Sequence, residues 1–219
     1  MPTLRDGNVF VVSLNQPGNV RREHMRALLL GVPFEFADGV IVKNVDTDLN
    51  DWCFQRGLAK PKTSTFFQPK PGDLGVLLAF MQVWETIVRR RLPYAFILED
   101  DVVANPNYAD VTTHEVTMGE GVDYAFVHPY GGFGMYASCV TLAGAEKLVA
   151  ARERLIALDK PVDLALWNGD VPDLRITASY GTQEWLYVQS TPLNDAAHSQ
   201  RVAFNDSFVP PPNPAFVPS

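Results

Sequence analysis

The 219-residue sequence has few cysteines, no excess of positive charge and no long hydrophobic run. Its two cysteines, Cys53 and Cys139, belong to no CxxC motif, which excludes a disulfide-based scaffold and a cysteine zinc site. Asp and Glu number 25 against 18 Lys and Arg, and this net charge of -7 disfavours nucleic-acid binding. No apolar stretch is long enough to span a bilayer, and residues 1–7 lack a hydrophobic signal segment. We therefore expect a cytoplasmic protein with at most peripheral membrane contact.

The composition is nevertheless that of an ordinary globular protein. Hydrophobic residues make up 47% of the chain and charged residues 20%, which is enough apolar material for one core. At roughly 150 residues per domain, the length accommodates one large domain and a small appendage. We expect a single domain over residues 1–208 and a proline-rich, extended C-terminal tail over residues 209–219.

The order of apolar segments predicts an α/β protein. The chain starts with a strand-helix-strand order, typical of a parallel sheet: a β-branched run over residues 9–14, a helical pattern over 20–30 and an extended segment over 34–36. The clearest helix covers residues 72–90, where apolar side chains recur at helical spacing until Pro93 stops it. The other predicted elements are strands over 94–98, 122–127, 133–140, 174–179 and 185–188 and helices over 49–56, 141–158 and 161–167.

Three consecutive acids, Glu99, Asp100 and Asp101, follow directly on the apolar strand 94–98. Their mutual repulsion disfavours such a cluster unless solvent or a cation relieves it. Ligands bind at the carboxyl ends of strands in open α/β sheets. Strand alternation would place Glu99 and Asp101 on one side and Asp100 on the other, so that the first two can bind a divalent cation that bridges substrate phosphates. The alternative is an acidic surface turn.

Two basic features are weaker indicators of a site for an anionic ligand. Arg21 and Arg22 open the first predicted helix, where they are either solvated or face a nucleotide phosphate. Residues 60–70 form a basic, proline-broken segment. It could fold over a bound ligand or contact an anionic one, and the alternative is a solvated surface loop.

The sequence has no glycine-rich phosphate-binding motif in the strand-to-helix context that such a motif requires. Residues 132–137 match GxGxxA, but a strand rather than a helix is predicted to follow, which favours a flexible loop beside the cleft over a dinucleotide site. The sequence has no P-loop. A nucleotidyltransferase is disfavoured because no glycine-rich signature followed by basic residues is found near the N-terminus.

Several segments, taken in order, resemble glycosyltransferase family 25, which includes bacterial lipooligosaccharide galactosyltransferases and collagen galactosyltransferases. The most specific feature is the helix start Gly72-Asp73-Leu74-Gly75 followed by residues 92–102, which read Leu-Pro-Tyr-Ala-Phe-Ile-Leu-Glu-Asp-Asp-Val. Ser13-Leu14-Asn15 with Arg21-Arg22 after it also matches the family, but weakly when taken alone. Weaker similarities are Gly144-Ala145-Glu146-Lys147-Leu148, Pro161-Val162-Asp163 and Gln189-Ser190-Thr191. The resemblance covers about residues 9 to 191.

The resemblance implies a fold and a reaction. The fold would be a single GT-A-like domain with a mixed, mostly parallel central sheet flanked by helices. The reaction would be an inverting transfer from a nucleotide sugar, usually a UDP-hexose such as UDP-galactose or UDP-glucose, to a glycan, glycolipid or glycoprotein acceptor. A divalent cation, Mn²⁺ or alternatively Mg²⁺, would be held at the acidic motif.

The resemblance also assigns roles to individual residues. Glu99 and Asp101 would hold the cation, and the donor would be bound by Leu14, Asn15, Arg21, Arg22 and Asp100, with Asp100 nearer the ribose or the sugar. An inverting reaction needs a base for the acceptor hydroxyl. Asp163 is the first candidate, Glu184 and Asp195 are alternatives, and Asp163 is equally suited to cap a helix.

The sequence departs from the family pattern at one position. Members usually carry Ser-His in the helix that here contains Ala79-Phe80, so any role of that histidine is lost. This departure favours a second hypothesis, a noncatalytic module that binds a nucleotide sugar or a glycan on the same fold. Release of UDP from UDP-sugars in the presence of manganese distinguishes the two.

Overall fold

The computed structural model describes residues 2–5, 7–59, 71–105, 110–116, 118–127, 134–157, 160–178 and 186–188. Several predictions concern other positions. The basic segment 60–70, the alternative bases Glu184 and Asp195, the domain boundary at residue 208 and the tail over 209–219 lie outside the described residues.

A six-stranded sheet forms the centre of the fold, in the order β2-β1-β3-β6-β5-β7. Its strands are β1 (Asn8–Ser13), β2 (Phe34–Asp38), β3 (Tyr94–Glu99), β5 (Tyr124–Phe126), β6 (Ala137–Thr141) and β7 (Ile176–Ala178). The pairs β1–β2, β1–β3 and β5–β7 are parallel, whereas β6 runs antiparallel to both β3 and β5. A separate antiparallel ladder joins β4 (Val102–Ala104) to β8 (Leu186–Val188). The mixed, mostly parallel sheet confirms the predicted fold class.

The helices that flank the sheet are α1 (Val20–Leu28), α2 (Val45–Gln55), α3 (Pro71–Arg90), α4 (Leu142–Ala150), α5 (Arg152–Ala157) and α6 (Val162–Trp167). The predicted continuous helix over 141–158 is wrong in one respect. Ala151 leaves helical geometry, with φ -84° and ψ 3°, and separates α4 from α5. Within the described residues, no helix is long and apolar enough to span a bilayer.

Strand alternation gives the sheet two apolar faces. Ala95 and Ile97 of β3 pack in a core with residues of α2 through α6, whereas Phe96 and Leu98 pack on the opposite face with Met25 of α1. Each fully buried large apolar side chain contributes about 1.5–3 kcal/mol. Because side chains alternate between the two faces along β3, Glu99 lies on the same face as Ile97.

The parallel pairing of β1 and β3 brings their carboxyl ends together, with Val12 opposite Glu99. Helix α1 begins a few residues after β1. The Asn19 side chain caps α1 by accepting a hydrogen bond from the Arg21 backbone N–H at 3.0 Å, and it donates to the Leu14 carbonyl at 2.7 Å. This cap fixes the first turn of α1 against the carboxyl edge of the sheet.

Candidate functional site

Residues 99–101, here called the acidic turn, lead from the end of β3 into β4. Because β3 ends at Glu99 and β4 begins at Val102, strand alternation does not extend to Asp100 and Asp101. Instead, both aspartates contact the same guanidinium nitrogen: Arg21 Nη1 lies 3.1 Å from Asp100 Oδ1 and 3.9 Å from Asp101 Oδ2. The predicted alternation, which placed Asp100 on the opposite side of the chain from Asp101, is therefore wrong. The roles of the two aspartates toward a ligand stay predictions.

Asp100 is also bound by the neighbouring strand. The Ser13 hydroxyl, at the carboxyl end of β1, donates a hydrogen bond to Asp100 Oδ2 at 2.6 Å. The same hydroxyl oxygen lies 3.3 Å from Asn19 Nδ2 and 3.4 Å from Arg22 Nε, both of which are donors. Ser13 thus connects the acidic turn to β1 and to the start of α1.

The side chains of Arg21, Asp100 and Asp101 are largely withdrawn from solvent, with 18%, 11% and 3% of their surfaces exposed. Burial of a charged group is unfavourable unless an opposite charge compensates it. One guanidinium and two carboxylates together carry a charge of -1. These three side chains by themselves therefore carry a net negative charge.

Arg22 organises the adjacent ends of β1 and β2. Its guanidinium donates to the Ser13 carbonyl at 3.1 Å, to Asn15 Oδ1 at 3.2 Å and to Asp38 Oδ1 at 2.6 Å. It also stacks over the Phe36 ring, with Cζ 4.6 Å from the centroid. These contacts hold the segment after β1 in place, and beside it the Leu14 side chain is 38% exposed.

His24 was not predicted to take part in this region. Its Nε2 lies 2.8 Å from the Val102 carbonyl oxygen, so Nε2 carries the proton in this arrangement. His24 is one helical turn beyond Arg21 on α1, so the two side chains lie on the same face of the helix. Helix α1 thereby makes two contacts with this part of the chain. Arg21 pairs with Asp100 and Asp101, and His24 bonds to Val102, which follows the acidic turn. The i, i+3 spacing was the sequence signal that could have indicated this.

Asp163 lies in the first turn of α6 and accepts a hydrogen bond from the Gly134 N–H at 2.7 Å. Pro161 is the N-cap of α6, so Asp163 is not the capping residue. Burial raises the pKa of Asp163, and backbone hydrogen bonds from Gly134 and Leu164 offset this only in part. A raised pKa makes the carboxylate a stronger base than an ordinary aspartate.

Tyr124 is fully buried in the core on the face of the sheet that carries α2 to α6. Burial raises the pKa of its phenol, and the nearby negative charges of Glu99 and Asp163 raise it further.

Carboxylate oxygens are the ligands that Mg²⁺ and Mn²⁺ prefer, and Glu99, Asp100 and Asp101 supply them. Over the described ranges, no three His, Cys, Asp or Glu side chains form a group that could hold a metal ion. A cation that also binds substrate phosphates needs only one or two protein carboxylates. The negatively charged acidic turn fits a divalent cation in that role.

The departure from the family pattern lies in the core. Ala79 and Phe80 are 1% and 0% exposed in α3, and Phe80 makes an edge contact with Trp84 at 6.2 Å between ring centroids. Phe80 packs among the apolar residues beneath the sheet. The Phe80 side chain therefore contributes to the packing of the core.

The model of one protein family, described as "Glycosyltransferase family 25 (LPS biosynthesis protein)", matches residues 7–129 of the chain. The match includes β1, α1, α3 and the acidic turn. No curated protein matches the sequence.

Similar solved structures are glycosyltransferases of low sequence identity. One, involved in glycosylation of the major capsid of PBCV-1, is 11% identical with a TM-score of 0.43, covering 91% of this chain and 99% of its own. The apo form of GlyE from Streptococcus pneumoniae TIGR4 is 9% identical with a TM-score of 0.38, covering 78% of this chain and 45% of its own. Mouse xyloside xylosyltransferase 1, also in the apo form, is 12% identical with a TM-score of 0.32, covering 81% of this chain and 66% of its own.

Proposed function

The chain belongs to glycosyltransferase family 25 and is a glycosyltransferase, and we propose that it transfers a hexose from a UDP-sugar, such as UDP-galactose or UDP-glucose. The acceptor is a hydroxyl of a glycan, glycolipid or glycoprotein, and the family description favours a lipopolysaccharide-type saccharide. One observation carries the proposal. Ser13, Arg21, Asp100 and Asp101 meet where the parallel strands β1 and β3 end. This edge is where nucleotides bind in α/β sheets.

The donor is bound by residues after β1 and at the start of α1. Arg21 supplies positive charge for the diphosphate, and Arg22 holds Asn15 and the exposed Leu14 at the rim of the site. Asp100 accepts hydrogen bonds from ribose or sugar hydroxyls. Glu99 and Asp101 would hold a divalent cation, Mn²⁺ or Mg²⁺, which would stabilise the negative charge on the departing diphosphate.

Asp163 acts as the base of the proposed inverting reaction. As the acceptor oxygen forms its bond to the anomeric carbon, the bond from that carbon to the diphosphate oxygen breaks, and the acceptor proton passes to the Asp163 carboxylate. Burial raises the pKa of Asp163, which strengthens the carboxylate as a base. The hydrogen bond from Gly134 fixes its orientation.

Two measurements test the proposal: melting temperatures with a panel of nucleotides, and then the rate of UDP release. Melting temperatures are measured with UDP, CDP, GDP and ADP, each with and without Mn²⁺. At a concentration 100 times its Kd, a ligand stabilises the folded protein by about 2.7 kcal/mol. For a domain of this size, that corresponds to a shift of about 5 °C or more. UDP with Mn²⁺ should give the largest shift. A panel without any uridine-dependent shift contradicts the proposed donor.

Turnover distinguishes the transferase from the noncatalytic module. UDP release is followed from UDP-glucose and UDP-galactose with Mn²⁺, with and without saccharide acceptors. The proposal expects release that the correct acceptor accelerates. Tight UDP-sugar binding without release, across a broad acceptor panel, supports the noncatalytic module instead.

A further inference from the structure

A single guanidinium nitrogen contacts both aspartates of the acidic turn. Arg21 Nη1 lies 3.1 Å from Asp100 Oδ1 and 3.9 Å from Asp101 Oδ2. The first contact is a hydrogen-bonded ion pair, and the second is an ion pair too long for a hydrogen bond. Arg21 therefore lies beside the carboxylates to which a cation would be attracted.

The position of Arg21 in its helix is itself unfavourable. It occupies the first turn of α1, where the positive end of the helix dipole disfavours a cation. The two aspartates compensate for this, and so would a bound phosphate, which the start of a helix favours. Arg21 thus has two possible anionic partners, the protein's own carboxylates and an incoming diphosphate.

Two cations cannot occupy the same carboxylates without repelling each other. Charges of like sign a few ångströms apart repel each other more strongly near a protein surface than in bulk water. A divalent ion that arrives alone must therefore overcome the presence of Arg21. A divalent ion that arrives with a diphosphate provides the guanidinium with a new partner, and Arg binds phosphate oxygens well through its planar fork.

We propose that Arg21 is an internal counter-ion that couples divalent-cation binding to diphosphate binding. This inference rests on the proposed donor and extends it. Without a donor, Arg21 offsets part of the negative charge of Asp100 and Asp101 and keeps cation affinity low. With a donor, Arg21 would pair with the diphosphate and leave Asp101 available to the cation. Such coupling is reciprocal, so the cation strengthens diphosphate binding by the same factor.

The test measures Mn²⁺ binding directly, through the paramagnetic resonance signal of free Mn²⁺, without nucleotide and with saturating UDP. The wild type should bind Mn²⁺ weakly alone and more tightly with UDP, by on the order of tenfold or more. Arg21→Gln should tighten binding of Mn²⁺ alone by on the order of tenfold and reduce the effect of UDP to about twofold or less. Arg26→Gln is the matched control, because Arg26 is exposed on the same helix and pairs with Glu23.

Each outcome is informative. Unchanged binding of Mn²⁺ alone in a folded Arg21→Gln protein overturns the counter-ion role, even if UDP still enhances binding in the wild type. No UDP effect in the wild type contradicts the proposed donor, while the Mn²⁺-only comparison still tests Arg21.

A second variant covers a failure of Arg21→Gln to fold. Arg21→Lys keeps the charge but loses the fork. It should bind Mn²⁺ alone as weakly as the wild type and show a smaller UDP effect. A wild-type UDP effect in Arg21→Lys overturns the coupling through the guanidinium.

Discussion

Replacement of Asp163 by Asn separates its proposed catalytic role from its structural role. The Asn side-chain oxygen can still accept the Gly134 N–H, which lies 2.7 Å from Asp163 Oδ2. The change removes a negative charge that burial makes unfavourable. Loss of a general base lowers the rate by about 100- to 10,000-fold. We expect Asp163→Asn to lose transfer activity to this extent while remaining folded.

The sign of the pH dependence follows from the raised pKa of Asp163. The folded protein holds this proton at pH values where the unfolded chain, with an ordinary value near 3.8, has released it. The Asp163 contribution to the unfolding free energy therefore decreases as pH rises from the unfolded to the folded pKa. Asp163→Asn should gain stability relative to the wild type across this interval and keep that gain at neutral pH.

Asp163→Ala provides the comparison. It leaves the Gly134 N–H without its carboxylate acceptor, which costs about 1–3 kcal/mol for a buried donor and lowers the melting temperature by several degrees. The assay measures kcat/KM against pH together with the melting temperature. The wild type should show an acid limb above the ordinary range of an aspartate, and Asp163→Asn should lack it. Near-normal turnover in Asp163→Asn would refute the assignment of the base.

Three substitutions test the fold around the site by thermal unfolding. Gly144→Ala should destabilise by about 1–3 kcal/mol, because its Cβ would lie 2.3 Å from the Asp123 carbonyl oxygen, and unchanged stability would mean that this close approach is incorrect. Thr141→Val removes the hydroxyl that caps α4 and should cost about 1 kcal/mol, unless the cap contributes nothing. Glu35→Gln should change stability by less than about 1 kcal/mol, because its ion pair with Arg90 is exposed, and a larger loss would contradict this.

Local patterns predicted the elements of the fold well. The apolar spacing of α3 and the stop at Pro93 placed this helix to within one residue of Pro71–Arg90. The β-branched run that forms β1 was shifted by one residue. The break at Ala151 was missed because no glycine or proline interrupts the helical pattern there.

The arrangement of the site depends on contacts that local patterns do not encode. Ser13 meets Asp100 across 87 positions of sequence, and Arg21 meets it across 79. The alternation rule failed at Asp100 because β3 ends one residue earlier, and strand ends are set by pairing with neighbours. The Arg21–His24 spacing was visible in the sequence, but the partner of His24, the Val102 carbonyl, became apparent only with β4 in place.

The central claim is that the acidic turn serves the sugar donor, and Asp101→Asn tests it most directly. Initial transfer rates with the UDP-sugar and Mn²⁺ are measured beside melting temperatures, with Asp51→Asn on the exposed surface of α2 as the matched control. Asp101→Asn should keep its melting temperature within a few degrees, because Arg21 retains its bond to Asp100. Its transfer rate should fall by on the order of a hundredfold or more. Near-normal turnover in a folded Asp101→Asn protein would contradict the account.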